Sequence, residues 1–155
     1  MIIYPSLPSG HTIFCDDIRH EVTGKVTFVG SYGSHLYTTS FPATLPRLCC
    51  AVTYRESPTI GGAVAVRVIH ETDGGESVVA EIKYEIPPEL VRENETTEPF
   101  VMREMKFAIE LSPFQVSGPG QLKVRAFRDD DEIRLGAIII DLNPNTTPDE
   151  DATNS

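Results

Sequence analysis

The residues of this chain whose types could do chemistry are mostly carboxylates. Asp16 and Asp17 follow an apolar run, Asp73 sits in Thr-Asp-Gly-Gly, and Asp129, Asp130 and Asp131 run into Glu132. Carried on loops that converge at one end of a β-fold, such oxygens would form a calcium cup. None of the runs has the spaced D-x-D-x-D-G pattern of a calcium loop, and aspartate favours turns for its own backbone hydrogen bonds, so turn chemistry is the first reading of each. Adjacent Asp16 and Asp17 would also point to opposite sides of a continuing strand.

Other constellations are weaker. His11 and Cys15 stand four residues apart, about 13 Å along an extended strand, too far to share a zinc ion locally. A site completed by Cys49 or Cys50 would lack any C-x-x-C spacing, and buried free cysteines acting as small apolar groups are the simpler account. The segment Gly30-Ser31-Tyr32-Gly33-Ser34 is not G-x-S-x-G, and a hairpin or bulge explains its glycines without a nucleophile at Ser31 or Ser34. Gly118-Pro119-Gly120 lacks the third glycine and following helix of a phosphate loop. Paired carboxylates for glycoside hydrolysis would have their spacing set by the fold, and no Trp is present to stack a sugar. The sequence thus predicts no catalytic residue, no metal and no cofactor.

The elements that would position these residues are strands. From Glu76 to Ile86, Val78, Ala80, Ile82, Tyr84 and Ile86 fall on one face and Glu81, Lys83 and Glu85 on the other. Similar alternation predicts nine strands, near Thr12–Asp17, Lys25–Tyr32, His35–Ser40, Arg47–Glu56, Ala63–Glu71, Ser77–Ile86, Met105–Leu111, Gln121–Arg128 and Ile133–Leu142. Thr-Asp-Gly-Gly at 72–75 and the aspartates at 129–131 read as hairpin turns. Sustained helical periodicity is absent; Pro88 to Asn94 is a short helical candidate that reads as a surface turn. The expected fold is all-β, a single antiparallel β-sandwich of about eight strands, immunoglobulin-like or C2-like, over residues 1–142, with a disordered acidic tail at 143–155. The last strand, apolar on both faces at Ile138, Ile139 and Ile140, should be central.

At 155 residues the chain is long enough for one core. All 13 basic residues and 20 of the 23 acidic ones lie before Asn143, so the body is itself net negative and would repel a phosphate backbone. Nucleic acid is excluded as an expected partner. The absence of a signal-type segment, of a long apolar run and of an even cysteine count predicts a reduced, cytoplasmic protein with no membrane span. Asn94 and Asn145, in Asn-x-Thr matches, would then carry no glycan.

The segment Phe14-Cys15-Asp16-Asp17-Ile18-Arg19, followed by Glu21, Gly24-Lys25-Val26 and Val29-Gly30-Ser31-Tyr32, resembles the opening of a family of short uncharacterised bacterial β-sandwich proteins that read Phe-x-Asp-Asp-Ile/Val-Arg-x-Glu. The resemblance covers mainly residues 14–54. It implies a β-sandwich fold in a bacterial or phage setting and carries no activity across.

Two segments are left as candidates for recognition. The charged stretch from Asp16 to Glu21, with Asp17 and Arg19, reads first as a cross-strand ion pair that locks a hairpin to the sheet. The connection from Pro87 to Glu104 carries Phe100, Val101 and Met102, whose simpler role is to tuck into the core. The expected function is a non-catalytic protein-binding or assembly module that takes a protein partner or self-associates through a sheet edge. A calcium-dependent C2-like module binding anionic surfaces, and a hydrolase with a fold-assembled site, are the rivals.

Overall fold

The computed structural model describes residues 6–93 and 101–145. Phe100 and residues 146–155 of the expected tail lie outside them. Among the described residues the chain is all-β, with twelve strands in chain order: β1 Ser9–Cys15, β2 Asp17–His20, β3 Val26–Val29, β4 His35–Thr38, β5 Ala43–Leu45, β6 Leu48–Glu56, β7 Ala63–Thr72, β8 Gly75–Glu85, β9 Arg103–Leu111, β10 Phe114–Val116, β11 Gly120–Arg128 and β12 Asp131–Leu142. They form four sheets: β1-β6-β9, β4-β12-β11-β7-β8, and the two-stranded ribbons β2-β3 and β5-β10. The helical candidate shrinks to one 3-10 turn, Pro88–Leu90.

The expected single antiparallel sandwich of about eight strands therefore needs correcting in two ways. The first expected strand breaks at Asp16, so that Asp17–His20 leaves the sheet and pairs with Val26–Val29 as a separate hairpin. The pairing of β4 with β12 is parallel, with Leu36 opposite Ile140. The ribbon β5-β10, three residues a strand, is too short for alternation to show.

The two large sheets share one core. Leu48, Cys50, Val52 and Tyr54 of β6 with Met105, Ile109 and Leu111 of β9 meet Val64, Val66 and Val68 of β7, Leu122, Val124 and Ala126 of β11, and Leu135, Ile138 and Ile140 of β12. These positions keep period two in β6, β7 and β11, and in β12 the row slips by one residue between Leu135 and Ile138, where the register with β11 shifts, so each strand still offers one apolar row to the interior. The strand β12 is central, as its sequence predicted, lying between β4 and β11. Its outer side is only partly covered, and Ile139 stays 41% exposed. Both hairpin turns form where expected: Thr72 opposes Gly75, and Arg128 opposes Asp131 with Asp129 at φ 49.

Where the inward row of β6 ends, a charge takes an apolar position. Glu56 is fully buried. Its Oε2 accepts from Tyr54 OH at 3.0 Å and Arg128 Nε at 2.8 Å, and its Oε1 accepts from Arg128 Nη2 at 2.5 Å and Arg103 Nη1 at 2.9 Å. The remaining arginine donors hold backbone. Arg128 Nη1 reaches the carbonyls of Gly61 and Ala63, and Arg103 reaches those of Ile60, Pro58 and Leu90. A desolvated carboxylate is tolerated only when paired and fully hydrogen-bonded, and these groups satisfy that condition. Burial works against the charge of Arg128, but the Glu56 carboxylate outweighs it and raises the guanidinium pKa. Burial, then the neighbouring Glu56 charge, raises the Tyr54 hydroxyl.

A second buried polar group has no such compensation. His70 lies edge-on to Phe114, ring centroids 5.6 Å apart, and its Nε2 has no hydrogen-bond partner among the described residues. Burial lowers its pKa below the ordinary imidazole value.

Two outcomes are expected. Glu56→Ala leaves two arginines facing an uncompensated interior and should cost about 3–5 kcal/mol in urea unfolding, as for other broken buried ion pairs. For His70, the unfolded imidazole takes up a proton near pH ~6.5 and the folded one only below that. The unfolded state then binds more protons in the interval, so stability rises with pH through it and falls as pH drops below ~6.5. Unfolding measured from pH ~7 to ~5 should show a flatter slope for His70→Leu than for the unaltered protein.

Candidate functional site

The hairpin β2-β3 lies over the outer face of the three-stranded sheet, and the two enclose a recess between them. The outward row of that sheet carries His11 and Ile13 of β1, Ala51 and Thr53 of β6, and Lys106 and Ala108 of β9. Its middle is low because Ala51 opposes Ala108 across the ladder. The hairpin supplies the roof by parity: Ile18 opposes Phe28 and His20 opposes Val26, so these four side chains share one face. Together they line a mainly apolar groove of about 280 Å³ with His11, His20, Thr53 and Lys106 as its polar groups. Val26 and Phe28 remain 44% and 39% exposed.

The other face of the hairpin explains the charged segment. Asp17 lies between Arg19, at 3.3 Å, and Arg47, at 2.9 Å, and Arg47 also reaches Glu110 of β9 at 3.0 Å. Desolvation opposes ionisation of Asp17, but the Arg19 hydrogen bond and the Arg47 charge outweigh it and hold the carboxyl below its usual range. The expected lock between hairpin and sheet is present, with a change of residue. Arg47 makes it, and Arg19 pairs within its own strand.

Asp16 anchors the same, open end of the hairpin. Its Oδ1 accepts from Tyr32 OH at 2.6 Å, its amide donates to Val29 O at 2.9 Å, and Tyr32 N donates to Phe14 O at 2.8 Å. Burial and then this hydrogen bond push the Tyr32 hydroxyl up to about 12. Gly30, at φ +64, passes so close that an added Cβ would sit 2.1 Å from Asp16 Oδ2.

The expected calcium ligands are not brought together. Asp73 follows the end of β7 beside Gly120, and Asp129, Asp130 and Asp131 follow the far end of β11. The nine residues of β11 separate them by roughly 27 Å. Asp16 and Asp17 have the internal partners just described. Among the described residues no three His, Cys, Asp or Glu side chains are grouped to hold a metal ion.

Cys15 and Cys49 oppose each other across β1 and β6, and Cys50 points into the core; all three are free and buried. Burial first, then the Cys49 sulfur for Cys15 and the Glu110 carboxylate for Cys49, raises these two thiols, and burial pushes Cys50 up to about 12, so none is an activated nucleophile. Ser34 Oγ and His35 Nδ1 are 2.8 Å apart as chain neighbours, but the ring of His35 stacks on Tyr37 and no described carboxylate bonds it. Of the connection residues, Val101 is half-buried and Met102 is 38% exposed before β9.

Sequence reasoning missed the groove because its lining comes from five strands. The available signal was parity: Ile18 with His20, Val26 with Phe28, and small Ala51 and Ala108 in outward rows.

Gly30→Ala should cost about 1–2 kcal/mol in urea unfolding, from the left-handed backbone and the displaced Asp16 carboxylate.

No helix among the described residues is long and apolar enough to cross a membrane. Comparison with curated proteins and with solved structures gives no match. The profile of one family covers the hairpin, both large sheets and the groove, from residue 11 to residue 140, and the chain belongs to that family, DUF6941, a family of unknown function.

Proposed function

We propose that this chain is a non-catalytic protein-binding module built on a β-sandwich, and that its receiving surface is the groove under the β2-β3 hairpin. The observation that carries this reading is a mainly apolar recess of about 280 Å³ left open between a hairpin roof and a sheet floor. A recess of this kind, with a few polar groups at fixed places, suits one anchoring side chain better than a large ligand.

The partner's chemistry follows from the lining. Ile13, Ala51, Phe28 and Ala108 accept an aliphatic or aromatic side chain, and Lys106, His11 and His20 offer donors in a protein of net charge −10. Lys106 is 74% exposed and among the described residues has Glu104, at 3.5 Å, as its ion partner. The occupant is an extended peptide segment that inserts an apolar anchor and presents a neighbouring carboxylate to this local basic group. Arg47 and Asp17 hold the roof over the site without entering it.

Selection of a random-peptide display library on the native protein tests this. Enrichment of peptides pairing an apolar residue with an acidic one, mapped by backbone shifts to Ala51, Phe28 and Ala108, is the expected result. Ala108→Trp, which fills the groove from its exposed floor, should then weaken binding by about 1.5–3 kcal/mol, the worth of one buried apolar anchor, at unchanged melting temperature. No enrichment, or binding indifferent to Ala108→Trp, would overturn the reading.

A further inference from the structure

We infer that β8 is a self-association edge, at which two copies of the chain pair antiparallel about a two-fold axis through Ile82. This goes beyond the groove, which lies on the other large sheet.

Among the described residues β8 pairs only with β7 and ends the five-stranded sheet. It is 11 residues long, where the opposite end of that sheet, β4, has four. Long open edges are templates for another strand unless charge, bulge or cover protects them. This edge has a bulge at Val79, where the register with β7 shifts between Val68 and Ile69, and the regular part runs from Ala80 to Glu85. That part still carries unburied apolar surface, with Tyr84 38% exposed and Ala80 and Ile82 half-buried at the margin of the core.

Symmetry then selects a register. A two-fold axis normal to the sheet requires some residue to face its own copy, and the residues either side of it to oppose one another. Centred on Ile82, Glu81 faces Lys83 of the second copy and Lys83 faces its Glu81, giving two cross-strand ion pairs on the outer face. On the inner face Ala80 meets Tyr84, Ile82 meets Ile82 and Tyr84 meets Ala80, which covers the half-exposed apolar row. Centring on Glu81 sets that carboxylate against itself. Centring on Lys83 sets two ammonium groups together and Glu81 against Glu85. Centring on Ala80 places Glu81 opposite Val79 and Ile82 opposite Val78, with no charge pair, and centring on Tyr84 pairs Lys83 with Glu85 but sets Glu81 and Ala80 against Pro87 and Pro88, past the end of the strand.

The charges are available for this. Lys83 is 69% exposed and reaches Glu81 of its own strand only at 3.5 Å, while Glu81 also accepts from Arg67. The other long edge, β9, fits less well. Its apolar Met105, Ile109 and Leu111 are already buried, so its inner row leaves less apolar surface for a second copy to cover.

Sedimentation velocity of the full chain over a concentration series tests the inference, using Lys83→Glu and Glu81→Lys. Both sites are on the surface, and melting temperatures confirm that the variants fold. The unaltered chain should show a reversible monomer–dimer equilibrium, and each variant alone should associate at least about tenfold more weakly, because like charges then oppose twice across the ladder. An equimolar mixture of the two variants should recover a heterodimer, since both carboxylates of the one variant then face the two ammonium groups of the other. A chain that stays monomeric throughout the series, variants that dimerise like the unaltered chain, or a mixture that fails to recover association would each overturn it.

Discussion

A buried carboxylate is the constraint on which the architecture turns. Glu56 closes the inward row of β6, and its two oxygens receive four donors, from Tyr54 on the same strand, Arg128 on β11 and Arg103 on β9. Removing this charge from water would be prohibitive alone; with two guanidinium groups and a hydroxyl around it, the cost is offset by interactions strengthened in the same low-dielectric interior. The pairing is directional, whereas apolar packing is not. It fixes how the end of β6 meets the end of β11, and the leftover arginine donors hold the carbonyls of Pro58, Ile60, Gly61, Ala63 and Leu90, so the loops at that end inherit their positions from the same node.

At the opposite end of β6 the restraints are of a different kind. The hairpin β2-β3 is tied down by Arg47 to Asp17 and Glu110, by Tyr32 to Asp16, and by the turn at Gly30, and several of these groups face solvent. Exposed ion pairs contribute little and are screened by salt. The chain thus joins a rigid core, anchored by a desolvated node, to a roof held by weaker contacts above an open apolar floor. That division suits a binding module, in which the scaffold must not move and the lip of the recess has to admit a side chain.

Much of the scaffold was legible in the sequence, and the reasons are local. Period two survives into burial throughout β11 and over Ala63–Val68 of β7, and both Asp-containing turns appear because their backbone chemistry is specified within four residues. The break at Asp16 was not legible, since Thr12 to Asp17 alternates acceptably as one strand and only the long-range bonds to Val29 and Tyr32 end it there. The parallel β4 and β12 pair depends on contacts a hundred residues apart, which no local pattern encodes. The node left a trace that parity could have exposed: Glu56 continues the inward row of Val52 and Tyr54, and Arg128 continues that of Leu122, Val124 and Ala126. An acid and a base each placed where an apolar residue belongs are a pair waiting to be matched.

Native-state hydrogen exchange, followed amide by amide, tests the division between node and roof most directly. Amides of β6 from Val52 to Glu56 and their partners on β9 should exchange only through global unfolding, while those pairing Asp17–His20 with Val26–Val29 open locally at a distinctly lower free energy. Hairpin amides as protected as those of β6, or a β6 end that opens before the hairpin, would contradict the account.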